Sequence, residues 1–358
     1  MKIILSKKGF DNAYGGVPSP VFINKEGKEE FISMPIPAII FKKDRPEPEE
    51  NKDLPEPEFR TNTCDNIKYS DIIYHNRNLG VLIEKLKDQR AVEPNPTTNA
   101  KKQANKNRLL EANSLCHFDP QLVKNANETN ENWEPLFGQA GSAQGHLAKQ
   151  KVKECDLFLF YGRFQLINEK TEYIGKPFSA IYGWLQVEKC INLKKIKDEK
   201  KAEIVQNNPY IKEHPHFNWH PKTENNTIYT AKKFVEIGQD KKKIDGAGLF
   251  KRLYILTEAN TETNVEKRDI GKIEFLKTIT DWILPICFYD SKVTLTHNHK
   301  DATYNDGLEK KWKENENDKN TCKLRAGGGY GQEFVLNYDN AEPETKKAIE
   351  TWVRDLFA

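Results

Sequence analysis

The chain has 358 residues, 37% apolar and 30% charged, with a formal net charge of +3. That length carries one large domain or two moderate ones with a real core, and the low apolar content points to long polar insertions on a folded frame. Near-neutrality excludes a protein coated in positive charge for wrapping nucleic acid, though not a local basic groove. No signal-peptide pattern opens the chain and no apolar run reaches membrane-spanning length, so a cytoplasmic protein with no membrane partner is expected. Six cysteines without a CxxC pair then read as reduced thiols.

Ile3-Ile4-Leu5 reads as a first strand. It runs into the loop Lys7-Lys8-Gly9-Phe10-Asp11-Asn12-Ala13-Tyr14-Gly15-Gly16-Val17-Pro18-Ser19-Pro20. Paired glycines there permit positive φ or close approach of a ligand, and the two prolines stiffen the exit. A strand entering a Gly-Gly loop that carries Lys and Asp suits a solvated connection or a phosphate or sugar site. It lacks Walker spacing. Short proline-interrupted strands are expected over residues 31–41. The stretches 42–59, rich in Pro and Glu, and 91–108, rich in Asn and Lys, read as surface insertions. Apolar spacing over 69–89 predicts a helix.

Cys116-His117-Phe118-Asp119-Pro120 and the Gly/Gln/His-rich stretch 136–147 follow, the latter expected as a polar recognition loop. Residues 156–164 and 179–187 are apolar strands, each broken by glycine, which implies a strongly bent sheet or small barrel. A charged helix over 193–208 should stop at Pro209, and 227–231 should be a strand. A helix is predicted over 275–288. Residues 296–319 look exposed, with a third insertion at 300–320. Arg325 leads through a glycine loop into a strand at Glu333, and an amphipathic helix over 343–357 closes the chain. The fold class expected is α+β: a single elaborated domain over 1–358, with a strongly curved, mostly antiparallel sheet flanked by helices and polar surface insertions.

The succession KGFD…GGVPSP, MPIP, HFDPQL, FGQAGSAQGHL, DLFLFYGRF, IYGWLQV, NTIYTA and GQEFVL, in order from residue 1 to about 338, resembles the third of the nucleotide modification associated domain families. The resemblance implies a DNA-base or nucleotide modification setting of bacteria and phages. DNA or a nucleotide is the partner it implies, with proteins of a base-modification or defence system beside it. It implies no particular reaction or cofactor. Where the family pattern HxDPD has a second acid, this chain has Gln121, so a mechanism needing two carboxylates in that loop is put in doubt.

Extended backbone would set His117 and Asp119 on one side, where they could orient a tautomer, bind a metal or move a proton; a turn hydrogen bond and a cap are the plainer alternatives. His214, His216 and His220 around two prolines match no structural zinc spacing, and no metal is expected. Acid–base roles fall to Lys8, Asp11, His117, Asp119 and Glu333. Substrate contacts fall to Tyr14, Gly15, Gly16, Ser19, Gln139, Gln144, His146, Arg163, Arg325 and Gln332, with the arginines as phosphate clamps. An enzyme acting on a base or modified nucleotide is the leading reading. A non-catalytic reader of modified bases, and a Mg²⁺-using nuclease built on Asp119 and Glu333, are the alternatives. The opening loop, His117-Phe118-Asp119 and Gly331-Gln332-Glu333 are expected around one pocket.

Overall fold

The computed structural model describes residues 1–11, 15–24, 26–40, 60–61, 67–74, 76–86, 89, 110–125, 130–193, 196, 198–218, 225–237, 243–259, 269–275, 277–304, 307, 309–327 and 333–358. Three N-terminal strands, β1 (Ile3–Lys7), β2 (Ser19–Ile23) and β3 (Glu29–Phe31), precede helix α1 (Leu79–Leu86). Strand β4 (Leu136–Ala140) leads directly into α2 (Gly141–Lys149). The long strands β5 (Leu157–Ile167) and β6 (Tyr173–Asn192) follow. After α3 (Asp198–Asn207) and the single turn α4 (Pro215–Asn218) come β7 (Asn226–Ala231), β8 (Ala247–Ile255) and β9 (Asp281–Pro285). Short strands β10 (Thr294–Leu295), β11 (Trp312–Glu314), β12 (Thr321–Arg325) and β13 (Glu333–Asn337) precede the closing helix α5 (Pro343–Asp355).

Ten of these strands form one mixed, open sheet with the path β4-β7-β6-β5-β1-β13-β10, to which β8 adds beside β6 and β2 beside β5, with β3 on the far side of β2. Two pairings are parallel, β1 with β5 and β5 with β2. The class is α+β. Among the described residues, no helix is long and apolar enough to cross a membrane.

The central strands are apolar on both faces because both faces are covered. Along β5, Leu157, Leu159 and Tyr161 enter one core with Trp282, Trp312 and the α5 residues Ile349, Trp352 and Val353. Their neighbours Phe158, Phe160 and Phe164 enter the opposite core with Phe137, Leu185 and Tyr229. This is the period of two that a strand imposes. β1 obeys it too, sending Ile3 and Leu5 to the first core and Ile4 to the second.

Several local expectations are corrected. Among the described residues of 275–288 there is no α-helix, only the start of a 3₁₀ turn at Ile286–Tyr289: β9 pairs antiparallel with β12, and the alternate burial of Trp282 and Leu284 is strand periodicity. The stretch 136–147 is a strand and a helix rather than a loop, with Gln144 and Leu147 buried three apart. Among the described residues of 69–89 only Leu79–Leu86 is α-helical, preceded by a 3₁₀ turn at Tyr69–Asp71 and a pair of two-residue strands, Ile73–Tyr74 with Arg77–Asn78. Asn298 and Trp312 are buried, so the region expected to be exposed reaches the core, and the Trp312 indole donates to the Asn298 carbonyl. The proposed insertions at 42–59 and 91–108 lie outside the described residues.

Trp312→Ala is therefore expected to cost about 3–5 kcal/mol, the range for emptying a packed aromatic site. Chemical denaturation measures it, and a loss below ~0.5 kcal/mol would return this segment to the surface.

Candidate functional site

The geometry turns on β4. Side chains of successive strand residues point to opposite faces, so Phe137 and Gln139 share one face and Gly138 has the other. On the first face, Gln139 donates its amide hydrogen to Glu333 Oε1, and the Lys8 ammonium lies 4.7 Å over the Phe137 ring. Glu333 opens β13 opposite Ser6 of β1, whose hydroxyl donates to the same oxygen at 3.1 Å. Lys8 Nζ adds a 3.3 Å contact to it. Three donors thus converge on Oε1. Among the described residues, Oε2 of this wholly buried carboxylate has no hydrogen-bond partner. Burial pushes the carboxyl above its ordinary range, while Lys8, Ser6 and Gln139 pull the other way.

On the other face, a β-carbon at Gly138 would stand 2.2 Å from the His216 ring and 2.8 Å from His214 Cε1. Only glycine lets α4 and the turn before it pack this closely. Asp119 Oδ1 accepts from the Gly138 amide at 2.7 Å and lies 3.1 Å from His214 Nε2. The His216 amide donates to His214 Nδ1, so His214 carries its proton on Nε2 and donates it to Asp119. His117 Nε2 and His216 Nε2 face each other at 3.2 Å, and Asp119 Oδ2 is 3.9 Å from His216 Nε2. Burial holds the His216 imidazole far down, at about 3, against the pull of Asp119. Burial alone would raise Asp119; the His214 hydrogen bond and the surrounding imidazoles outweigh it and hold the carboxyl at about 2. Among the described residues, His117, Asp119 and His216 are a group that could hold a metal ion, their donor atoms all lying within 4.8 Å of one another.

The sequence candidates thus fall into groups. Lys8, Gln139 and Glu333 meet directly. His117 and Asp119 form a second cluster, joined to the first through the consecutive residues Gly138 and Gln139. The opening loop touches both, because Gly9 lines a cavity of about 30 Å³ beside Asp119, together with Ser33, Tyr74 and Tyr182. Asp11 pairs with Lys7 at 2.7 Å, and its charge acts on Arg163. Gly15 and Gly16 have φ of 86° and 78°, and a β-carbon on Gly15 would strike the Phe10 ring.

Arg163 and Arg325 join neither the Glu333 nor the Asp119 cluster; they share a groove of about 930 Å³ lined also by Lys277, Lys310 and Tyr304 and by the acids Glu258, Asp281 and Glu309. Arg325 there pairs with Asp281 at 3.5 Å and stacks over Tyr304. Two others serve the frame: Ser19 is buried and accepts from the Met34 amide, and Gln144 accepts from the Tyr229 hydroxyl. His146 contacts Thr296 at 3.1 Å and stacks near His297. Tyr14 and Gln332 lie outside the described residues, as does His220.

Sequence reasoning missed Ser6, His214, His216 and Asn226. The histidines were visible, but a search for zinc ligands spaced within one loop could not find partners a hundred residues away. Ser6 and Asn226 give no signal on their own.

A carboxyl raised in the folded state stabilises the protein below its unfolded value and loses that contribution as pH rises through the folded one. Glu333→Gln fixes the neutral form. Its stability should therefore improve relative to the parent as pH goes from about 4, the ordinary carboxyl range, toward 8. Urea titrations across that span check it; a constant difference would mean Glu333 does not titrate there.

No curated protein and no solved structure matches the chain. A family model described as nucleotide modification associated domain 3 matches residues 2–337, which takes in both clusters and every strand described above. The chain belongs to that family.

Proposed function

We propose that this protein is an enzyme acting on a DNA base or a modified nucleotide, with Glu333 as its proton-transfer group. The observation that carries this reading is the asymmetry of the Glu333 carboxylate: one oxygen is saturated by Ser6, Lys8 and Gln139, and the other is buried with no partner among the described residues. A fully buried half-bonded carboxylate is costly to a fold and is arranged where a proton must be moved. Lys8 would complete the pair, holding the ionised form when the proton has left. The amide of Gln139 and the loop with Gly15-Gly16 would orient the base. Asp11, His117 and Asp119 remain members of the same catalytic region, with Tyr14, His146 and Gln332 as further candidate contacts. Arg163 and Arg325 would take phosphate along their groove.

The Mg²⁺ nuclease reading fits less well. The side chains paired with Asp119 are imidazoles, whereas Mg²⁺ selects oxygen ligands in near-octahedral array. The reader alternative remains distinct in its consequences.

The test is nucleoside mass spectrometry of DNA and nucleotides, modified and unmodified, after incubation with the protein. A changed nucleoside mass is expected, and Glu333→Gln should lower its formation by roughly 10²–10⁴-fold, the usual worth of a positioned acid–base group. Binding without any mass change would make the protein a reader.

Affinity for DNA should also fall steeply between 50 and 200 mM salt, roughly in step with the phosphates neutralised. Fluorescence anisotropy of labelled duplex measures this, and a flat response would favour a free nucleotide as substrate.

A further inference from the structure

We propose that His117 Nε2, Asp119 Oδ2 and His216 Nε2 form a binding site for one divalent transition-metal ion of the class that accepts mixed imidazole and carboxylate ligands, such as zinc, iron(II) or manganese(II). This goes beyond the acid–base reading and does not depend on it.

The geometry is that of ligands around a common centre. Two imidazole nitrogens each about 2.1 Å from one ion, at a right angle, stand about 3.0 Å apart. The observed separation of His117 Nε2 and His216 Nε2 is 3.2 Å. All three donor atoms lie within 4.8 Å of one another. Two nitrogens and one carboxylate oxygen are the donor set of mononuclear metal enzymes whose three protein ligands leave positions open for water or substrate, and Asp119 Oδ2, 3.9 Å from His216 Nε2, would close by about 1 Å to join it.

The surroundings are arranged as a second layer of support. His216 Nδ1 lies 2.9 Å from Asn226 Oδ1, and Asn226 donates its amide hydrogen to the His216 carbonyl at 2.8 Å. The amide orientation is thereby fixed, so His216 carries its proton on Nδ1 and presents Nε2 as the lone-pair nitrogen. His214 is a positioning residue: its Nε2–H and the Gly138 amide both donate to Asp119 Oδ1, and Oδ2 is the oxygen on the His216 side. Ligating histidines and carboxylates are held in this way, by carboxamides and backbone groups that set tautomer and direction.

The ion class follows from the donors. Imidazole suits zinc, iron, cobalt and nickel, and a carboxylate admits manganese; calcium and magnesium prefer oxygen throughout. Three protein ligands rather than four distinguish a reactive site from a closed structural one. The cavity of about 30 Å³ beside Asp119 has room for a water, with Ser33, Tyr74 and Tyr182 as polar neighbours.

The plainer alternative is a hydrogen-bonded histidine pair that never meets a metal. To decide, the full chain is stripped with chelator, and Zn²⁺, Mn²⁺ or anaerobic Fe²⁺ is added singly. Bound metal is counted by plasma mass spectrometry after desalting, and thermal melts are recorded alongside. We expect one equivalent per chain for at least one of these ions, with a raised Tm, and no displacement by millimolar Mg²⁺. His216→Ala and Asp119→Asn should lose it, Asn226→Ala should weaken binding about 10–100-fold, and His299→Ala should keep it. Circular dichroism of each metal-free variant separates lost ligation from lost fold, and His117→Gln, on the half-exposed member, provides a mild second ligand variant. Glu333→Gln should retain the full equivalent, so failure of the acid–base reading leaves this result untouched. No bound ion in the parent, or one equivalent that survives both His216→Ala and His117→Gln, would overturn the site.

Discussion

The absence of a side chain at Gly138 is the constraint on which both clusters depend. Strand geometry sends Phe137 and Gln139 toward Lys8 and Glu333, and the vacant position between them admits the His216 ring. Any larger residue would push α4 off the strand and take His216 from its place beside His117. The same backbone unit then donates its amide to Asp119. One strand thus registers two chemically different groups against each other within two consecutive residues.

The two acids answer to opposite electrostatics. Glu333 sits at the margin of an apolar layer with Ile4, Val335 and Phe137, and burial raises it despite one lysine and two neutral donors. Asp119 is also buried, yet it accepts from an amide and an imidazole and is surrounded by further rings, which keep it ionised. Two buried carboxyls of one fold thus shift in opposite directions because one lies mainly among apolar groups and the other among hydrogen-bond donors and rings.

Much of the frame was legible in the sequence. The runs through 157–164 and 179–187 are apolar without alternation because both faces of those strands are buried, and α5 shows its stripe in Ile349, Trp352 and Val353. The 275–288 stretch misled because a proline-ended apolar run suits either a stopped helix or a short strand; pairing with β12 decided it. α2 went unseen because Gly, Ala, Ser and Gln give a faint apolar face, and contact with β4 supplies what propensity lacks. Among site residues, Lys8, Gln139, His117, Asp119 and Glu333 stood out as types in place. Their division between two faces did not, since it rests on contacts between residues up to 325 apart. The resemblance along the chain pointed to the family that the match over 2–337 establishes.

The central place of β1 bears on how the chain is made. Its first strand lies between β5 and β13, and Ser6 meets Glu333 across 327 residues of sequence. Synthesis delivers the N-terminal half long before that carboxylate emerges, and contacts of such separation close slowly. On the ribosome, β1 can dock on β5 while its other edge waits, open, for the last strand. The cluster around Glu333 consequently assembles only once β13 has emerged, and a chain cut before it would carry Lys8 and Gln139 around an empty place.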